Sequence, residues 1–118
     1  MNRVLLTGRL TRDPELRSLA SGKLVTQFPI ATHDYVDGSE RTEYASIVVW
    51  DRLAEICGQY LGKGMLVAIE GRLQTRQWED EKGDRHYKTE VVASSAEMLG
   101  GRRYRQFAAA TAAPAEVV

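Results

Sequence analysis

Asp51 to Leu61 is the one stretch of this chain with a convincing helical pattern, and it sits between stretches that read as strands. Leu53, Ile56, Cys57, Tyr60 and Leu61 fall at i, i+3, i+4, i+7 and i+8, which gathers them into a single apolar stripe. Asp51 suits the N-cap, and Gly62 with Gly64 supplies the stop.

On the N-terminal side, Val4 to Leu10 reads as a strand that ends at the Asp13-Pro14 turn. Glu15 to Leu19 reads as a short irregular turn, and Ser21-Gly22-Lys23 as another. Val25 to Thr32 is a second strand, in which Pro29 cannot donate to a ladder and so calls for an edge or a bulge. His33 to Thr42 is polar with Asp37-Gly38 at its middle, the pattern of a hairpin loop, and Tyr44 to Trp50 is the third strand. On the C-terminal side, Met65 to Trp78 is a fourth strand whose length invites a bend at Gly71. A charged loop follows, and Tyr87 to Met98 is the fifth strand, with Tyr87, Thr89, Val91 and Ala93 opposite Lys88, Glu90 and Val92. Residues 1–101 therefore read as one domain, and 102–118 as a flexible Ala-rich tail led by the basic cluster Arg102, Arg103 and Arg105.

Five strands with one helix between the third and fourth is the element order of an OB-fold, a five-stranded Greek-key barrel in the all-β class. That fold hosts many activities, so function must come from side chains. The chain is long enough, at 118 residues, for one core and not two. Its 16 basic and 16 acidic residues cancel, which argues against a uniformly basic surface but leaves room for a locally positive groove. Cys57 stands alone and fits a reducing compartment, with its thiol inert on the helix stripe. Neither a signal-peptide run nor an apolar membrane span is present in the sequence, which reads as cytoplasmic. His33 and His86 have no ligand spacing to each other or to Cys57, so no metal site is expected. No phosphate loop, nucleophile elbow or paired acid and base is found, so the chain reads as a non-enzyme without a cofactor.

Strand alternation then sorts the polar residues. Glu70, Arg72, Gln74, Arg76 and Trp78 share one face of the fourth strand, while Leu73 points the other way. Tyr44, Ser46, Val48 and Trp50 share one face of the third. Guanidinium groups pair with phosphate oxygens, and an aromatic ring offers a flat surface to an unpaired base. Such faces suit single-stranded nucleic acid. Arg72 and Lys88 enter the candidate site on this argument alone.

The sequence also resembles the bacterial-type single-stranded DNA-binding (SSB) family. The resemblance runs through Asn2-Arg3-Val4-Leu5-Leu6-Thr7-Gly8-Arg9-Leu10, Asp13-Pro14-Glu15-Leu16-Arg17, Phe28-Pro29-Ile30-Ala31-Thr32 and Asp51-Arg52-Leu53-Ala54-Glu55. It is closest from Tyr60-Leu61-Gly62-Lys63-Gly64 to Gln77-Trp78, and it closes on Tyr87-Lys88-Thr89-Glu90-Val91-Val92 and Met98-Leu99-Gly100-Gly101. It implies an OB-fold homotetramer that coats and protects single-stranded DNA in replication, recombination and repair, associated with the nucleoid. Carried over by position, Tyr44, Trp50 and Trp78, with Tyr35, become the stacking residues, and Arg3, Arg17, Arg52, Lys63 and Arg76 the backbone contacts. The sequence departs from the family at Ala45, where His is usual, and at Ser46, where a basic residue is frequent. The resemblance leaves replication and repair proteins as possible partners, but the sequence ends Ala115-Glu116-Val117-Val118 where the family usually has an acidic tip, so recruitment through such a tip is not assumed.

Overall fold

The structure is a computed structural model and describes residues 1–101 and 103–112. The strands are Val4–Leu10 (β1), Glu15–Ser18 (β2), Leu24–Val36 (β3), Ser39–Trp50 (β4), Leu66–Glu79 (β5) and Arg85–Met98 (β6). Asp51–Tyr60 (α1) lies between β4 and β5, and Tyr104–Ala112 (α2) follows β6. The sheet order β1-β5-β6-β4-β3-β2 is closed by a β1–β3 pairing at Arg9 and Leu10. Five strands thus form a barrel, and β2 adds to the outside edge of β3. This is an OB-fold, with its helix between the third and fourth barrel strands.

β2 occupies the segment that reads as an irregular turn, and all four of its residues are exposed. A four-residue strand with no buried face leaves no hydrophobic alternation to detect. Pro29 falls between the part of β3 paired with β2 and the part paired with β1, where a missing donor is tolerated. β3 and β4 also run further than the sequence suggests, because only Asp37 and Gly38 turn. Both have positive φ, 53° and 80°, as a two-residue primed hairpin turn requires.

Inward-facing Phe28, Ile30, Ile47, Val49, Val67, Ile69 and Val91 fill the barrel, and α1 closes one end with Ala54, Ile56 and Cys57. Thr26, fully buried, donates its hydroxyl to the Ala54 carbonyl at 2.6 Å and ties β3 to the helix. Burial pushes the Cys57 thiol up to about 12, so it stays protonated and unreactive. Asp51 does not cap α1. The N-cap residue is Trp50, and Asp51 is the first helical residue at φ 59°. The helix ends at Tyr60 with Leu61 as C-cap, whose N–H bonds the Cys57 carbonyl.

A register shift opposite Glu70/Gly71 changes the phase of β6. Ser94 and Ser95 are both exposed, so the core positions pass from Val91 and Ala93 to Ala96 and Met98. Gly71 sits against this bulge, and a Cβ there would collide with the Val92 carbonyl. Gly71→Ala is accordingly expected to cost about 1–3 kcal/mol of stability, measured by urea unfolding, because the obstacle is backbone. A loss below about 0.5 kcal/mol would show that the bulge can relax.

Residues 104–112 form a helix where the sequence suggests a tail. Phe107 is 1% exposed and joins the core cluster, and Arg103 donates to the Gln59 carbonyl at the end of α1. Arg102 and residues 113–118 of that segment lie outside the described residues. No helix among the described residues is long and apolar enough to cross a membrane.

Candidate nucleic-acid interface

Beyond Gly71 the β5–β6 hairpin leaves the barrel, and Arg72 to Glu79 are exposed on both faces. Its root is fastened by Asn2, whose side-chain amide gives and takes hydrogen bonds with the Leu73 backbone at 2.9 and 2.8 Å. Opposed residues of an antiparallel pair share a face, so Arg72, Gln74, Arg76 and Trp78 stand beside Val92, Glu90, Lys88 and His86 in that order.

The register joins this face to that of β4. Val92 pairs Val48, Val48 pairs Gln27, and in the next row Trp50 pairs Val25, which pairs Arg17. Tyr44 lies on the same side of β4 and pairs Ala31, and Tyr35 continues that side of β3 near the hairpin turn. One outer sheet surface therefore carries Arg17, Trp50, Tyr44, Tyr35, Arg72, Arg76, Lys88 and Trp78. Both tryptophans and both tyrosines are exposed there.

Arg3 precedes β1 and pairs with Glu70, which is on the same face of β5 as Arg72, so it stands at the edge of this surface with its charge matched. The other two candidates lie elsewhere. Arg52, in the first turn of α1, lines a cleft of about 280 Å³ with Leu53, Ile56 and Ser95. Lys63 lies in the loop after α1, on a groove of about 910 Å³ shared with Arg9, Asp13 and Arg103. Arg9 and Arg103 donate there to the carbonyls of Gly64 and Gln59, and Asp13 accepts from the Lys63 backbone N–H.

Trp78 is held from two directions. The Arg76 guanidinium carbon is 5.1 Å from the ring centroid, and the His86 ring stacks at 5.5 Å with 22° between planes. His86 is oriented in turn by Asp80, whose carboxylate lies 2.7 Å from Nε2 and also accepts the backbone N–H groups of Lys82 and Asp84. These bonds, led by that from His86, hold the Asp80 carboxyl below the usual range. A depressed carboxylate stabilises the hairpin tip above its ordinary pKa, and that contribution is lost as pH falls through the lowered value. Acidification below the ordinary carboxylate range is therefore expected to shift Trp78 emission, and Asp80→Asn to remove that step. An identical acid titration in the variant would disconnect Asp80 from the ring.

Sequence reasoning missed Glu90, His86 and Asp80 as parts of this face. Alternation on the fifth strand does put Glu90 with Lys88. The pairing of His86 with Trp78 needed the length of the connecting loop, which single-strand patterns do not give.

Fold and face together define a class, the OB barrels whose outer sheet surface mixes exposed aromatics with guanidinium groups. Within it, the chain belongs to the single-strand binding protein family, which residues 1–99 match. It is 51% identical over 108 residues to single-stranded DNA-binding protein 1 of Chlorobaculum tepidum, covering 86% of this chain and 67% of that one. Identity to the single-stranded DNA-binding protein of Caldanaerobacter subterraneus subsp. tengcongensis is 46% over 102 residues, 84% of this chain and 68% of the relative. Against single-stranded DNA-binding protein 1 of Staphylococcus aureus it is 45% over 102 residues, 84% and 65%. The matched stretch thus spans about two thirds of each relative's length.

Proposed function

We propose that this chain binds single-stranded DNA without strong sequence preference and acts as a binder, not a catalyst. Bases stack on Trp78, Trp50 and Tyr44, with Tyr35 at the rim, while Arg17, Arg72, Arg76 and Lys88 face the phosphates. Arg3, Arg52 and Lys63 contact the backbone where the strand leaves the sheet. The observation that carries this reading is the single register-linked surface on which exposed aromatics alternate with cations. Every base has a π-face, so such a surface accepts any sequence, whereas a duplex hides those faces. The matching relatives, all named as single-stranded DNA-binding proteins, support the same ligand.

In this reading the protein coats strands exposed during replication, recombination and repair, at the nucleoid. Self-association as a homotetramer fits β1, which pairs β5 along Val4 to Arg9 but meets β3 only at Arg9 and Leu10. Its outer edge offers Leu5, 75% exposed, to a second copy. Sedimentation velocity reads that assembly directly, and a monomer at micromolar concentration would contradict it.

Competition against a labelled oligothymidine tests the ligand. Unlabelled single strand of mixed sequence should displace the probe, and duplex of equal length should not. Equal displacement by duplex would overturn the reading, and preferential displacement by matched RNA would transfer it to RNA.

A further inference from the structure

Glu90 is the only charged side chain among the described residues that is buried, at 2% exposure, and it lies on the face proposed to receive a polyanion. A carboxylate in that position repels phosphate, and a buried charge persists only where it is paired. Its partners are both on the same face. Arg76 donates from Nε to Oε1 at 2.8 Å and from Nη2 to Oε2 at 3.5 Å, and Lys88 Nζ lies 3.8 Å from Oε2. The two cationic side chains remain 46% exposed above it.

This geometry uses one edge of the Arg76 guanidinium and leaves the Nη1 corner for another acceptor. The same guanidinium lies over the Trp78 ring. An arginine side chain otherwise has rotamer entropy to lose on ordering. Here its orientation is set before any ligand arrives.

We propose that Glu90 is a positioning residue for single-strand binding: it holds the Arg76 guanidinium across Trp78 so that a base on the ring and a phosphate on Nη1 are met together. The inference rests on the single-strand reading above. Its rival is a carboxylate that merely neutralises Arg76 and Lys88, and the two differ in sign. Removing a positioning group weakens binding, whereas removing a neutralising group strengthens it.

The test is anisotropy of a labelled oligothymidine across a salt series, with wild type, Glu90→Gln, Arg76→Ala and the double variant. The amide keeps the shape of Glu90 and discards its charge. Glu90→Gln is expected to weaken binding about tenfold, the scale of one charge-assisted hydrogen bond. It should also lower the magnitude of the salt slope by roughly 0.7, the share of one phosphate contact on a single strand. In the Arg76→Ala background the same substitution should change neither quantity. Tighter binding with a steeper slope would establish the neutralising role and overturn the proposal. Unchanged affinity and slope would reduce Glu90 to a structural residue and also overturn it.

If circular dichroism shows Glu90→Gln unfolded, Arg76→Lys replaces it, since lysine keeps the charge but cannot span Glu90 and lie flat on the ring. Lysine should then lose affinity as fully as alanine, and wild-type affinity would overturn the proposal. Failure of wild type to bind the oligomer removes the single-strand reading and this inference together. Binding by wild type with an unaffected Glu90 variant removes only the inference.

Discussion

Truncating Trp78 to alanine is expected to weaken single-strand binding by about 1–3 kcal/mol, the contribution of one stacked base, while the domain stays folded. The ring stands on the part of the hairpin that has left the barrel, is 42% exposed and has no place in the core cluster. Its loss therefore opens no cavity. What disappears is a surface already held in place by Arg76 on one neighbouring position and His86 across the ladder, so little of the ring's freedom remains to be lost on binding. Titration of Trp78→Ala with an oligothymidine, alongside a thermal melt, reads both quantities. Unchanged affinity would remove Trp78 from the site, and a collapsed melt would make it a structural residue.

Phe107→Ala is expected to lower stability by about 3 kcal/mol, the low end of the loss for a buried phenylalanine. The low end applies because α2 packs chiefly on α1 and β6, at the outside of the barrel. Urea unfolding gives the value. A loss under about 0.5 kcal/mol, the scale of an ordinary surface substitution, would return residues 103–112 to the status of a tail. Single-strand affinity should hold in this variant, since Phe107 lies among α1 and the end of β6 and not on the sheet face.

Those two sites mark where the sequence was and was not readable. Trp78 and Arg76 were legible because strand alternation is local: two residues apart means one face, whatever the rest of the chain does. The barrel strands and α1 were legible for the same reason, each carrying its own period. Phe107 was not, because Tyr104 and Phe107 at the head of an Ala-rich stretch make too short a stripe to stand out, and only the surface waiting at β6 turns Phe107 into a core residue. β2 has no buried face, so it too exists only through its partner, β3. The bulge at Ser94-Ser95 reverses the phase of β6 midway, which a fixed alternation carries straight past. Glu90 shows the same limit: its place on the strand is plain, but its burial beneath Arg76 and Lys88 depends on the strand that pairs beside it, β5. Asp51 failed as a cap for a different reason. Its residue type suits an N-cap, yet the chain turns into α1 one residue earlier, at Trp50.

The central claim, that bases stack on this face, is tested most directly by leaving Trp78 as the sole indole in Trp50→Phe and titrating its emission with oligothymidine at low and high salt. Strong quenching by the single strand, absent with duplex and shifted to higher concentration by salt, is the predicted result. Binding seen by anisotropy without any change in Trp78 emission would contradict it, and would move the path of the strand off this hairpin.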